Sequence, residues 1–363
     1  MNPLKRYLLE NLRLYIVFAI FSLLAAQSAR ASDYFRIKVV DEQTERGIPM
    51  VELTTVNHLR WITDSAGMIA FYEPGLMNQR VHFTVRSHGY EHAKDGFGYR
   101  GTVLNAKGGG GAEIKLKRLN IAERICRLTG EGIYRDSVLL GEPVPLKLPL
   151  LNAQVLGQDS VLAAPYRGKI YWFWGDTSRA RYPLGHFGTA GAVSGIPGKD
   201  GLPPSQGVDF EYFVNQEGFS RPMWQLEEKG MVWTDGLTVI PDSSGRERLV
   251  AHYSRMKDLG TRLEHGMGLF DDKRNLFERI VRLDLTESWR NPRGHPLRAR
   301  DGSIDWIYFS HPFAATRVRA DLKSVSRPDS YEALTCLETA DRFDSKTARI
   351  RRNDDGVAQF YWT

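Results

Sequence analysis

The feature that most constrains the fold of this chain is a strand–turn–strand pattern that recurs along its second half. Each copy has two short apolar segments that alternate with period two, joined by a polar turn that contains glycine. The copies run from Asp159 to Asp176, from Asp235 to His252 and from His295 to His311. Alternation with period two is typical of β-strands and differs from the 3.6-residue period of helices. The pattern therefore predicts an all-β protein built from hairpins.

The spacing of these hairpins predicts a β-propeller-like domain at residues 119–363. The copies begin about 60 to 75 residues apart, and residues 266–284 supply two further strands after the second copy. About four antiparallel strands per repeat are typical of propeller blades. Three repeats are present and a fourth opens at residues 356–363, where the sequence stops in an aromatic segment. Because a five-bladed ring needs about five repeats, we expect an incomplete, truncated propeller.

The ends of the repeats carry polar side chains that propeller geometry would bring together. The innermost strand of each blade lines the central channel, so a position repeated in successive blades surrounds one pocket. Two such sets are expected: Asp159, Asp235 and His295, and then Asp176, His252 and His311. An aspartate beside a turn also caps backbone amides. From the residues alone, both interpretations of the aspartates stay open.

A smaller all-β domain is predicted at residues 34–118. Its alternating segments include FRIKVVD at 35–41 and VHFTVR at 81–86, and glycine and aspartate mark the turns between segments. Short strands at this spacing, with no helical periodicity, favour a β-sandwich.

Three motifs in residues 34–118 carry a family resemblance. They are V-D-x-x-T-x-x-G-I-P-x-V from Val40, T-D-x-x-G-x-x-x-F from Thr63 and S-x-G-Y from Ser87. In this order they resemble the carboxypeptidase regulatory-like, transthyretin-type module. Such modules are usually non-catalytic spacers or adhesive appendages, so the resemblance implies that this domain takes no part in catalysis.

Two motifs around the first hairpin carry a second resemblance. G-Q-D-S-V begins at Gly157 and G-K-I-Y-W-F-W-G-D-T begins at Gly168. Together they are similar to the first blade of propeller glycosidases, and most of all to the secreted bacterial family that includes endo-D-arabinanases. The resemblance implies that Asp159 and Asp176 are the catalytic carboxylate pair.

A carboxylate pair suits glycoside hydrolysis, which needs one carboxylic acid and one carboxylate. Strand alternation places Trp174 on the same face as Asp176, where an indole could stack on a sugar ring. We therefore predict an exported glycoside hydrolase that acts on polysaccharide or oligosaccharide through Asp159 and Asp176. The predicted substrate-binding residues are Trp174, Asp235, His252, His295 and His311. The alternative is a non-catalytic module that binds carbohydrate or protein.

Residues 1–31 have the pattern of a signal peptide. Basic residues precede a 13-residue apolar run at 14–26, and a small-x-small sequence ends at Ala31. Such a run is too short to span a bilayer comfortably. We expect cleavage after Ala31, a secreted or periplasmic mature chain and no stable membrane insertion.

Nucleic acid is not an expected partner. Residues 1–31 contain four basic residues and one acidic residue, so only +3 of the formal charge of +6 belongs to the mature chain. That chain has no run of lysine and arginine long enough to follow a phosphate backbone.

No cofactor and no metal site is predicted, because the sequence contains neither CxxC nor HExxH. Cys126 and Cys336 either pair in an oxidising compartment or are two buried thiols. The sequence leaves both alternatives open.

Overall fold

The computed structural model describes residues 33–130, 132–338 and 346–363. The predicted signal peptide lies outside these residues, so its cleavage and the export of the chain stay predictions. The chain divides into two compact units. The first unit comprises Met1–Asn152 and Leu202–Asp209, and the second comprises Ala153–Gly201 and Phe210–Thr363.

The first unit contains two four-stranded sheets, with strand orders β4-β1-β8-β6 and β3-β2-β5-β7. Its strands are β1 Phe35–Asp41, β2 Glu52–Thr55, β3 Arg60–Ile62, β4 Met68–Phe71, β5 Gln79–Arg86, β6 Tyr90–Glu91, β7 Gly101–Ala106 and β8 Gly111–Arg118. Alternate residues of β1 and β5 point into the unit, as the sequence pattern predicts. Ile37, Leu53 and Phe83 are fully buried in one cluster to which both sheets contribute.

Residues 119–152 belong to the first unit, although the sequence pattern assigns them to the second domain. Two buried aspartates connect this segment to the strands. The Asp64 carboxylate accepts hydrogen bonds from the backbone N–H and the hydroxyl of Ser137, each at 2.7 Å. The Asp136 carboxylate accepts from the backbone N–H of Ala70 at 3.0 Å. These long-range bonds have no signal in the local sequence pattern.

The second unit contains the hairpins that the sequence predicts. Its strands are β9 Gly157–Gln158, β10 Leu162–Tyr166, β11 Lys169–Trp174, β12 Thr177–Arg179, β13 Tyr182–His186, β14 Ala190–Ser194, β15 Glu211–Tyr212, β16 Met231–Pro241, β17 Glu247–Met256, β18 Arg262–Asp271, β19 Leu276–Leu283, β20 His295–Asp301, β21 Ile304–Ser310, β22 Ala314–Arg319, β23 Glu332–Thr335 and β24 Tyr361–Trp362. Antiparallel pairing of β10 with β11, β16 with β17 and β20 with β21 confirms the three predicted hairpins.

These strands form four sheets within the described residues of the second unit. The orders are β10-β11-β14-β15, β13-β12-β9, β16-β17-β18-β19 and β20-β21-β22-β23-β24. The pairing of β18 with β19 confirms the two further strands expected after the second hairpin. The described chain is therefore all-β in character, as predicted, and none of its sheets closes on itself.

Helices are short in the described part of the chain. The α-helices are Arg135–Leu139 and Leu322–Val325, and the 3-10 helices are Asn152–Gln154, Pro204–Gln206, Leu285–Glu287 and Pro328–Ser330. Among the described residues, none of the helices has both the length and the apolar character that crossing a bilayer requires.

Aromatic side chains dominate one core of the second unit. Phe173, Phe270 and Phe277 are fully buried and contact one another with ring centroids 5.0 to 6.1 Å apart. Burial of each such side chain contributes about 1.5–3 kcal/mol relative to exposure. A second cluster, which includes Ile307 and Phe309, packs between β17–β19 and β21–β22 and holds these two sheets together.

Candidate functional site

The second unit has an open cavity of about 850 Å³ beside the middle of β16 and the start of β20, which we call the His–Arg cavity. Its lining residues come from the two sheets β16–β19 and β20–β24 and from the loops beside them. They are Asp235, His252, Arg262, His265, Pro292, Arg293, Gly294, His295, Ser310, His311 and Pro312. Four of the residues predicted to bind substrate, Asp235, His252, His295 and His311, thus lie in one cavity.

A β-bulge aims Asp235 into this cavity. The pairing of β16 with β17 shifts register between Thr234 and Gly236, so Asp235 has no direct partner on β17. Bulges re-aim a side chain in this way and are common beside functional sites. Asp235 is half-buried, and the Ser254 hydroxyl donates to its Oδ2 at 2.5 Å.

Gly236 allows the backbone of β16 to lie close to His252 and Gly294 at the floor of the cavity. A Cβ atom at this position would lie 2.4 Å from Nε2 of His252 and 2.6 Å from the carbonyl oxygen of Gly294. These two groups are themselves hydrogen-bonded, since His252 Nε2 donates to the Gly294 carbonyl at 2.8 Å. That bond assigns the proton to Nε2 and leaves a lone pair on Nδ1.

His265 lies beside His252 on the same face of the β17–β18 hairpin. Met267 is the partner of His252 and Ser254 is the partner of His265, so the two histidines are diagonal neighbours across the strands. Nδ1 of His252 and Nε2 of His265 are 3.5 Å apart. Both rings are 1% exposed, and Nδ1 of His265 has no hydrogen-bond partner among the described residues.

Burial keeps both imidazoles neutral. It is the largest cause that lowers the pKa of His252, opposed by the charge of Asp235. Burial also lowers the pKa of His265 to about 2, with smaller effects from His252, Arg262 and Arg293. The floor of the cavity therefore offers imidazole lone pairs rather than positive charge.

The rim of the cavity is exposed and positively charged. Arg262 begins β18, Arg293 precedes β20, His295 begins β20, and His311 follows β21; all four side chains are exposed. Pairing of His295 with Ser310 brings the two rim histidines to the same end of the hairpin, as the sequence predicts. The two guanidinium groups carry more positive charge than the single carboxylate of Asp235 can balance. The cavity therefore suits an anionic ligand.

Asp159 and Asp176 lie at one turn of the second unit, outside the lining of the His–Arg cavity. Oδ1 of Asp159, which is exposed, accepts from the backbone N–H of Asp176 at 3.0 Å. Oδ1 of Asp176, which is half-buried, accepts from the Gly188 N–H at 3.0 Å and from Nε1 of Trp233 at 2.8 Å. Each carboxylate thus stabilises local backbone structure, which is the alternative that the sequence left open. The structure brings the two aspartates to each other, and neither is among the residues that line the cavity with Asp235 and His295.

Trp174 is buried rather than open to a ligand. Its side chain is 5% exposed and contacts the rings of Trp172, Phe210 and Tyr212. The stacked rings of Trp172 and Trp174 show that both point to one face of β11, as alternation predicts. That face is covered by other aromatics, so Trp174 presents no free surface to a sugar ring.

Sequence reasoning missed His265, Arg262 and Arg293. A signal for His265 was present, because the turn at residues 257–261 predicts a hairpin that folds residue 265 back beside residue 252. The arginines lie in loops and at a strand end, where sequence periodicity carries no information on direction. The two cysteines, Cys126 and Cys336, are free and half-buried.

The described chain is thus an all-β protein whose second unit has an open cavity with two arginine side chains at its rim. No protein-family model matches the chain, and no curated protein matches it either.

Proposed function

We propose that this chain is an exported carbohydrate-active protein whose second unit binds an acidic polysaccharide in the His–Arg cavity. The observation that carries the proposal is the convergence of four predicted substrate-binding residues with Arg262 and Arg293 in a cavity of about 850 Å³. Cavities of this size hold ligands as large as short oligosaccharides. Guanidinium groups bind carboxylates and sulfates through paired hydrogen bonds, and such groups are the charges of acidic sugars.

The order of the sheets supports a propeller-like interpretation of the second unit. The sheets β16–β19 and β20–β24 each consist of consecutive antiparallel strands, which is the arrangement of a propeller blade. Asp235 of β16 and His295 of β20 contribute to one cavity, as residues of neighbouring blades do around a channel. For the first unit we propose the transthyretin-type sandwich, supported by the single buried core that its two sheets share.

Binding is tested with purified chain and oligosaccharides of matched length, either acidic or neutral, by isothermal titration calorimetry. Arg293→Ala and Arg262→Ala should each weaken binding of an oligouronate by about 10- to 100-fold, since a hydrogen bond to a charged group contributes about 1.5–3 kcal/mol. Arg181→Ala is the matched control, because Arg181 is exposed in the same unit but outside the cavity. Equal binding of neutral sugars, or full binding by both cavity variants, would contradict the proposal.

Glycoside hydrolysis is the second candidate, and the observation that favours it is the proximity of Asp159 and Asp176 at one turn. Each carboxylate accepts a backbone hydrogen bond through Oδ1, and its second oxygen is the one that would serve chemistry. In this candidate the pair supplies the acid and the base or nucleophile that glycosidases require.

Asp176→Asn separates the catalytic and the structural role of Asp176. An asparagine Oδ1 still accepts from Gly188 and Trp233, so the fold should persist. If Asp176 is catalytic, release of reducing sugar from acidic polysaccharides should fall by at least 100-fold, whereas an exposed control such as Asp95→Asn should change nothing. Wild-type chain that binds saccharide without releasing reducing sugar would instead identify a binding module.

A further inference from the structure

We propose that Asp235, His252 and His265 bind one divalent transition-metal ion, Zn²⁺ in particular, at the floor of the His–Arg cavity. One donor atom from each residue lies within 4.8 Å of the other two. Asp235 and His252 also line the cavity of the carbohydrate proposal, but the metal site is tested without saccharide, so the failure of one proposal is distinguishable from the failure of the other.

The spacing of the two imidazoles fits shared coordination. Two nitrogens bound to one tetrahedral zinc ion at 2.0–2.1 Å are about 3.3 Å apart. The corresponding distance between His252 Nδ1 and His265 Nε2 is 3.5 Å. At that length an imidazole–imidazole hydrogen bond is weak, so the pair gains little from its own contact.

Neighbouring groups orient the donors as they do around known metal sites. A metal-binding histidine commonly donates its second ring N–H to a backbone carbonyl, and a metal-binding carboxylate is itself hydrogen-bonded. His252 donates Nε2–H to the Gly294 carbonyl at 2.8 Å, which directs the Nδ1 lone pair toward His265. The Ser254 hydroxyl donates to Oδ2 of Asp235 at 2.5 Å.

His265 supplies an independent indication of a ligand. His265 is 1% exposed, and its Nε2 has only the contact of 3.5 Å to Nδ1 of His252. A buried polar group without a good partner is costly, and such groups call for an explanation by water or an ion. A metal ion at Nε2 would replace this long contact with a coordinate bond, and the proton of the neutral ring would lie on Nδ1.

The donor set selects the class of metal. Two imidazoles and one carboxylate suit Zn²⁺ and other first-row transition metals, whereas Ca²⁺ and Mg²⁺ require six or more oxygen ligands. Three protein donors leave a fourth position on the ion, and all three residues line the open cavity. The guanidinium groups of Arg262 and Arg293 on the rim favour an anion at that position, which would complete the coordination.

The test is metal binding by the purified chain, with no saccharide present. After chelation and dialysis against Zn²⁺, mass spectrometry of metal content should give one ion per chain. Co²⁺ in place of Zn²⁺ should give the visible d–d absorption of a four-coordinate site. Asp235→Asn and His265→Gln should each lower the affinity at least tenfold, whereas His311→Gln, on the rim of the same cavity, should stay within twofold of wild type.

Two outcomes would overturn the metal proposal. One is a folded wild-type chain, checked by circular dichroism, that retains no more Zn²⁺ or Co²⁺ than the Asp235→Asn variant. The other is an equal loss of affinity in His311→Gln, which would move the ion away from the three donors. Because Asp235 is half-buried, Asp235→Asn tests the site even if the buried substitution at His265 prevents folding.

Discussion

Gly236 is the residue on which the floor of the His–Arg cavity depends. The backbone of β16 approaches His252 and Gly294 so closely that any Cβ at position 236 would overlap both. The same glycine follows the bulged residue Asp235, so the bulge and the close approach occur together. A glycine in a strand interior often marks such a place.

Gly236→Ala is therefore expected to destabilise the second unit by about 1–3 kcal/mol, the usual cost of overpacking. Displacement of His252 should also weaken Zn²⁺ binding. Gly157→Ala is the matched control, because a Cβ there meets no atom within 4 Å and the residue lies in the strand β9 of the same unit. Urea denaturation and metal titration of both variants measure the two effects, and equal behaviour of the variants would show that position 236 has room for a methyl group.

At the scale of elements, the short helix Arg135–Leu139 is held against the strands of the first unit by carboxylates. Asp64 accepts from Ser137 as well as from the backbone N–H groups of Ala66 and Met68. Asp136 accepts from Ala70 at the same junction and pairs with Arg135. A helix of five residues has little stability of its own, so these contacts determine its position.

The burial of Asp136 predicts a pH dependence. Burial raises the pKa of Asp136 above the ordinary value of 3.8. The folded chain then holds the proton more tightly than the unfolded chain, and this contribution to stability is complete below pH 3.8 and is lost as pH rises through the folded-state pKa. In Asp136→Asn the side chain cannot titrate, and Oδ1 still accepts from Ala70.

The difference in unfolding free energy, Asp136→Asn minus wild type, should therefore increase as pH rises from 4 to 7. Because Asp136 lies in the first unit, the measurement must report the stability of that unit. Hydrogen exchange of the backbone amides in β1 does so. Asn57→Ala is the control, since it removes an exposed group that does not titrate. It should change the unfolding free energy by the same amount at every pH. A constant difference between Asp136→Asn and wild type would exclude the burial effect.

At the scale of the whole molecule, the two units are not consecutive along the chain. Leu202–Asp209 belongs to the first unit, while the residues on either side belong to the second. Within the first unit, the Tyr134 hydroxyl donates to the Gln206 carbonyl at 2.8 Å, and the backbone N–H of Lys147 donates to Asp209 at 3.2 Å. The segment Leu202–Asp209 thus contacts residues far from it in sequence. Strand spacing carries no information on such contacts.

The sequence by itself determined the all-β character of this protein, most strands of its first unit and the three hairpins of its second unit. FRIKVVD at 35–41 predicts β1 to the residue, and glycine turns locate the hairpins β10–β11, β16–β17 and β20–β21. The physical reason is that side-chain alternation and turn chemistry are local properties of a chain. The return of a hairpin also places His252 beside Asp235 and His311 beside His295 from spacing alone.

Only the tertiary structure decided what those side chains do. It leaves Asp159 and Asp176 out of the cavity lining, buries Trp174 among aromatics, and adds His265 to Asp235 and His252. These outcomes depend on a bulge at Asp235 and on close packing between strands distant in sequence. Burial, register shifts and long-range hydrogen bonds arise only when the sheets pack, so the alternation that predicts a strand cannot predict which side chains meet across it.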